Sequence, residues 1–199
     1  LRVLGAMVHE AIPKQTVVEL GTILPGQFQT VVSSTNFPME ALELFIPEIS
    51  KTKGTINADV QLGGPFDKIG MKGQAKVNGH FQLDYLKALF YIPNQTITLS
   101  EYQIWADGDT LLDGSQKNAA IIQGGLRHDH FYDWRIDCKI NTVNSSFMVM
   151  NTLRTDNSLY YGQGIGRFNA KFSGSFARTN IHVDATTGNY TRLFIPLSS

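Results

Sequence analysis

His128-Asp129-His130 with Asp133 brings imidazoles and carboxylates close enough in sequence to hold a metal ion. On a strand, however, His128 and His130 project from one face while Asp129 and Asp133 project from the other. No cysteine or second histidine cluster completes a ligand set, so the segment reads as a polar turn leading into a strand at Phe131-Tyr132. Asp107, Asp109 and Asp113 crowd one segment like the acids of a calcium loop. Leu111 stands where such a loop needs an oxygen ligand, though, and no Glu closes it at the twelfth position. Gly162-Gln-Gly-Ile-Gly166 has the glycine density of a dinucleotide loop, but nothing helical follows it, so a turn or bulge is expected. There is no Gly-x-Ser-x-Gly elbow, and no motif marks a carboxylate pair for glycosyl transfer. Cys138 is the single cysteine, which rules out an internal disulfide and leaves the redox compartment unreadable. The expectation is a non-enzymatic chain with no metal site and no cofactor.

Composition narrows the partners. Among the 199 residues, 17 basic and 17 acidic side chains cancel to a formal charge of zero. A nucleic-acid binder needs a basic face to meet phosphates, so no nucleic-acid partner is expected. An apolar content of 42% is enough for a core. The longest apolar run, Ala88 to Ile92, falls far short of the roughly 20 residues of a membrane-spanning helix. The chain begins at Leu1 without a Met and is expected to be an internal segment of a longer polypeptide.

Most of the chain alternates with period two, the strand signal. Ile56, Ala58, Val60 and Leu62 are interleaved with Thr55, Asn57, Asp59 and Gln61. The pattern recurs at Ala75 and Val77, at Ile136, Cys138 and Ile140, at Phe168, Ala170 and Phe172, and at Ile181 and Val183. Gly63-Gly64-Pro65, Asn78-Gly79, Asp107-Gly108, Asp113-Gly114, Gly124-Gly125 and Thr187-Gly188 read as turns between these runs. An exception is the stretch 36–50, where Leu42, Phe45, Ile46 and Ile49 recur at helical spacing behind Pro38, predicting a short amphipathic helix that Pro47 ends. Tyr85 to Phe90 fits either a helical turn or the start of a strand. A loose internal repeat relates Gly54-Thr-Ile-Asn-Ala-Asp-Val-Gln, with Gly63 and Phe66 after it, to Gly166-Arg-Phe-Asn-Ala-Lys-Phe-Ser, with Gly174 and Phe176. The expected organisation is N-terminal strands over 1–35, the helix over 36–50, and a β unit over 51–199.

These pieces, in this order, resemble the TamB family. The likeness rests on Phe37 to Ser50, then Gly54 to Phe66, then Met71-Lys-Gly-Gln-Ala-Lys-Val77. Downstream, Asp113-Gly114, the glycine pair before Leu126-Arg-His128, and Phe131 to Asp137 are similar to the Bacteroidetes-type version. So are Tyr160-Tyr-Gly162, Asp184-Ala-Thr-Thr-Gly188 and Leu193 to Leu197. The resemblance spans roughly residues 36 to 197, and the family's glycine-rich terminal domain has no counterpart here. It implies an AsmA-like, inner-membrane-anchored periplasmic protein and an all-β fold: a strongly curved, open, mostly antiparallel sheet (a β-taco) with one short N-terminal amphipathic helix. The implied partners are phospholipid, a BamA-family outer-membrane barrel of the TamA type, and outer-membrane protein clients. The implied role is phospholipid transport between the two membranes and support of outer-membrane protein assembly.

An alternating sheet bent into a trough leaves its apolar face free for a guest. Each methylene exposed to water costs about 0.8 kcal/mol, so an apolar floor eases lipid movement without any chemical step. The lining expected is Ile56, Ala58, Val60, Leu62, Ala75, Val77, Ile136, Cys138, Ile140, Phe168, Ala170, Phe172, Ile181 and Val183. Read without the resemblance, the same residues would make an ordinary core. Two other functions fit the pattern: a chaperone-like module that accepts a client strand by β-augmentation, and an extracellular carbohydrate-binding domain using Trp105, Tyr132 and Trp134. Dimerisation through exposed sheet ends is also expected of an open β structure.

Overall fold

The computed structural model of the protein describes residues 16–20, 26–44, 46–144 and 146–196. Among these, one antiparallel sheet contains twelve strands. They are β1 (Thr16–Leu20), β2 (Gln27–Pro38), β3 (Ile49–Pro65), β4 (Gly70–Leu83), β5 (Ala88–Ser100), β6 (Gln103–Asp113), β7 (Ala119–Asp129), β8 (Tyr132–Thr142), β9 (Phe147–Thr152), β10 (Tyr161–Ser175), β11 (Arg178–Thr187) and β12 (Arg192–Phe194). Successive strands pair as a meander up to β8, which then pairs with β10. The first half of β10 is flanked by β9 and β12, and its second half by β8 and β11. The all-β expectation holds, and every pairing is antiparallel. No helix among the described residues is long and apolar enough to cross a membrane.

The helix expected over 36–50 is instead a six-residue 3₁₀ helix, Met39–Leu44. β2 runs through Phe37 and Pro38, which pair with Ile56 and Thr55, and β3 already begins at Ile49. With Pro47 unable to extend an i→i−4 ladder, too few residues remain for a longer helix. Its buried residues are Met39 and Ala41, whereas Leu44 is exposed and Phe45 lies outside the described residues. Of the expected strands over 1–35, β1 and the start of β2 fall within the described residues. Tyr85 lies in a turn, and the strand resumes at Ala88.

Four segments read as turns lie inside strands, the first being Gly63-Gly64-Pro65, which ends β3 and pairs with Gln27 to Gln29 of β2. Asn78-Gly79 and Asp107-Gly108 mark register shifts in β4 and β6, and Gly124-Gly125 pairs on both sides within β7. The strands are therefore longer than their punctuation suggests. Gly162 to Gly166 lies in β10 with a shift at Gly164/Ile165, the bulge anticipated for it. Another shift separates Ser34 from Phe37 in β2. Asn36 and Asn94 take positive φ angles (53° and 54°), a conformation that asparagine tolerates better than most residues. A staggered line of irregularities thus crosses the sheet from β2 to β6. Side-chain amides satisfy backbone N–H groups along it. Asn36 N donates to Asn57 Oδ1 (2.7 Å), Asn94 N to Asn78 Oδ1 (3.2 Å), and Thr110 N to Gln95 Oε1 (3.1 Å).

The turns after β3, β5, β7 and β10 share one rim of the sheet, here the first rim, and those after β4 and β6 share the second. The core cluster of Ala88, Phe90, Leu111, Ala120 and Phe147 sits towards the second rim. β9 reaches across there. Asn151 N donates to Leu86 O (2.8 Å) ahead of β5, although β6, β7 and β8 lie between β5 and β10 in the sheet order.

Candidate functional site

Residues paired across antiparallel strands project from the same face, so the register tells which of the expected lining residues come together. Ile56, Ala58, Val60 and Leu62 pair with Val77, Ala75, Gly73 and Met71. One row continues from Val60 through Gly73, Leu99, Ile104 and Leu126 to Ile136. Ile136, Cys138 and Ile140 pair with Gly174, Phe172 and Ala170, and the last two pair onward with Ile181 and Val183. All fourteen residues therefore lie on one face of the sheet. Alternation could place them because no bulge separates the members of any run.

The face is covered unevenly. Towards the second rim, Met39 Sδ lies over the Gly54–Gly79 pair, where any Cβ would crowd it. Ile140 and Phe168 pack against the core cluster, and Ala170 is buried. Towards the first rim an open trough of about 1010 Å³ is lined by Phe28, Leu62, Met71, Leu99, Tyr102 and His130 among others. That volume lies at the upper end of the range of about 300–1,000 Å³ usual for ligand sites. Ile56, Ala58, Val60, Ala75, Val77, Ile136, Cys138 and Phe172 are partly exposed. Ile181 (61%) and Val183 (50%) are open to solvent on β11.

Asp109 and Cys138 are ionisable groups set into this face. Asp109 pairs with Ile122 and so points with the apolar residues. Burial raises its pKa against the pull of two backbone N–H groups, and its buried Oδ2 has no hydrogen-bond partner among the described residues. Burial, aided by the nearby Asp137 carboxylate, pushes the Cys138 thiol up to about 11. Cys138 is therefore a protonated thiol at neutral pH. Its alkylation by iodoacetamide at pH 8 is expected to be on the order of a hundredfold slower than that of a free cysteine, because only the thiolate reacts. Labelling followed by mass should show the rate still climbing above pH 9, and a plateau near pH 8 would contradict the assignment.

The histidine segment carries the expected polar turn, and the strand after it starts at Tyr132, one residue later than expected. β7 ends at Asp129, and His130 and Phe131 form the turn, with φ angles of 47° and 70°. Leaving the strand brings His130 onto its neighbour: Nδ1 lies 2.7 Å from Asp129 Oδ1 and Nε2 3.0 Å from Glu101 Oε1. Asp129 foremost raises the His130 pKa against the opposing effect of burial, and Glu101 adds to the rise. His128 is buried and accepts the Phe131 N–H on Nδ1 (3.1 Å), while its Nε2 has no partner among the described residues. Burial first, then the charge of His130, lowers its pKa. The described residues contain no group of three or more potential metal ligands.

The aromatics considered for carbohydrate stacking are dispersed. Trp105 carries the Arg127 guanidinium at 5.0 Å on the face opposite Ile104, Trp134 packs against His128 at 4.5 Å, and Tyr132 is exposed. The repeat does have a structural counterpart. Ala58 and Ala170 face the same way at mid-strand, and Phe66 and Phe176 both stand exposed in first-rim turns. No family model matches the chain, no curated protein matches it in sequence, and no solved structure matches its fold.

Proposed function

We propose that the protein is a TamB-like groove segment whose sheet curves about its apolar face and shields phospholipid acyl chains from water. The observation that supports this most is the single continuous apolar face, crossing from β2 to β11 on a sheet that no second layer covers among the described residues, plugged near one rim and open at the other. An ordinary sandwich would match that face with a second sheet. The contact of β9 with the end of the β4–β5 turn supports the curvature, since it brings distant strands together across the same face. A non-enzymatic role is part of this reading, and the one thiol on the lining, Cys138, is held protonated by burial. In this reading the chain works in the periplasm as part of an inner-membrane-anchored protein. It acts beside a BamA-family barrel, and lipid passage supports the assembly of outer-membrane proteins.

Native mass spectrometry of gently purified protein tests the reading, with co-purified phospholipid as the expected result. Val60→Arg and Phe172→Arg place a charge on partly exposed positions of the face, so lipid is expected to fall to background while circular dichroism keeps its strand signal. Lipid-free wild type together with unfolding of both variants would identify the face as a plain core.

A further inference from the structure

Among the described strands, β11 presents a long, regular outer edge. Over ten residues, Arg178–Thr187, its register with β10 runs without a bulge, and no described strand pairs on its other side. Edge strands are normally blunted by charged side chains, proline, bulges or a covering element, and among the described residues β11 has only the first, in Arg178 and Asp184. All its residues except Thr179 are exposed, and two of them, Ile181 and Val183, are the last members of the apolar rows.

We propose that β11 pairs with β11 of a second copy about a two-fold axis at Ile181. In an antiparallel pairing centred there, Ile181 meets itself and Thr179 faces Val183, all on the apolar side. On the opposite side Asn180 faces His182, and Arg178 faces Asp184 of the second copy, twice by symmetry. Thus the charges complement each other in the register that also aligns the apolar residues. Asp184 already has His182 at 3.3 Å on its own strand, and the incoming guanidinium would approach that same polar face. The apolar row Cys138–Phe172–Ile181 then continues into its symmetric copy, so one face would run through both molecules. Self-pairing closes after two copies, because each free β11 edge is consumed by the other. The proposal does not depend on what fills the trough.

Sedimentation velocity of the full chain across micromolar concentrations, at low and high salt, is the test. The expected result is a shift from 22.1 kDa towards twice that mass as concentration rises, as for a small and weak interface, with weaker association at high salt. Arg178→Asp or Asp184→Arg alone sets like charges across the axis and is expected to weaken association by about tenfold. The double variant Arg178→Asp/Asp184→Arg restores it, and so does mixing the two single variants. Circular dichroism of each variant confirms that the exposed substitutions leave the fold intact. A wild type that stays monomeric, a dimer indifferent to the reversals, or open-ended growth into larger species would each overturn the proposal.

Discussion

Replacing Phe147 with alanine is expected to lower the unfolding free energy by about 3–5 kcal/mol. That is a large fraction of the roughly 5–15 kcal/mol that holds a typical domain together. Phe147 is fully buried at the start of β9. Its ring stacks on Phe90 of β5 at 6.0 Å and meets Phe168 of β10 edge-on at 5.7 Å. Removing it leaves a void between strands that no other ring bridges in this cluster. The bordering backbone is fixed by its own ladders and is poorly placed to collapse into the gap. Urea unfolding should show the loss as a lower midpoint with an unchanged slope, and hydrogen exchange should show β9 losing protection. Phe176→Ala, in an exposed first-rim turn, is the control and should stay within about 0.5 kcal/mol of wild type. A loss at Phe147 no larger than that of the control would mean that β9 is not docked as described.

Asp113→Ala is expected to be nearly as damaging, for an electrostatic reason. The carboxylate is buried and accepts four hydrogen bonds. Ser115 N (3.1 Å) and Ser115 Oγ (2.6 Å) donate to Oδ1, and Asn118 Nδ2 (2.8 Å) and Met148 N (3.2 Å) donate to Oδ2. It thereby ties the β6–β7 turn to β9. Alanine strands these donors, at a cost of about 1–3 kcal/mol for each that water does not reach. Asp113→Asn keeps the shape, turns an NH₂ towards donors and should fall between. Burial alone would raise the Asp113 pKa, but the donated hydrogen bonds from Ser115, Asn118 and Met148 outweigh it and hold the carboxyl below its usual range. A depressed carboxyl stabilises the fold above its unfolded pKa of about 3.9, and that contribution is lost as pH falls through the folded value. Asp84 behaves likewise, held low by Ser50 and Gln82 first, against burial, with help from Lys87. Wild-type stability should therefore decline steeply below about pH 4, and Asp113→Asn should flatten that decline. Equal acid slopes in the two proteins would exclude Asp113 from the titration.

What the sequence made legible follows from where alternation is uninterrupted. The runs Ile56–Leu62, Ile136–Ile140 and Phe168–Phe172 each lie between irregularities, so period two alone put them on a common face. Asn78-Gly79 and Asp107-Gly108 could not be told from turns, because a bulge and a hairpin both call for residues that accept positive φ. Met39–Leu44 failed as an α-helix because pairing of Phe37 and Pro38 with β3 outweighed local periodicity. The tie between Asp113 and Met148 spans 35 residues and has no local signature at all. The polar turn at His130 is legible in the sequence, but its contact with Glu101, 29 residues away, has no local signature either.

The asparagine and glutamine amides that satisfy Asn36, Asn94 and Thr110 stand in for main-chain partners where the ladder slips. Between them the β3–β4 ladder runs unbroken past Asn57 and Asn78. Individual strands therefore change their local twist along this line without orphaning a donor or parting the sheet.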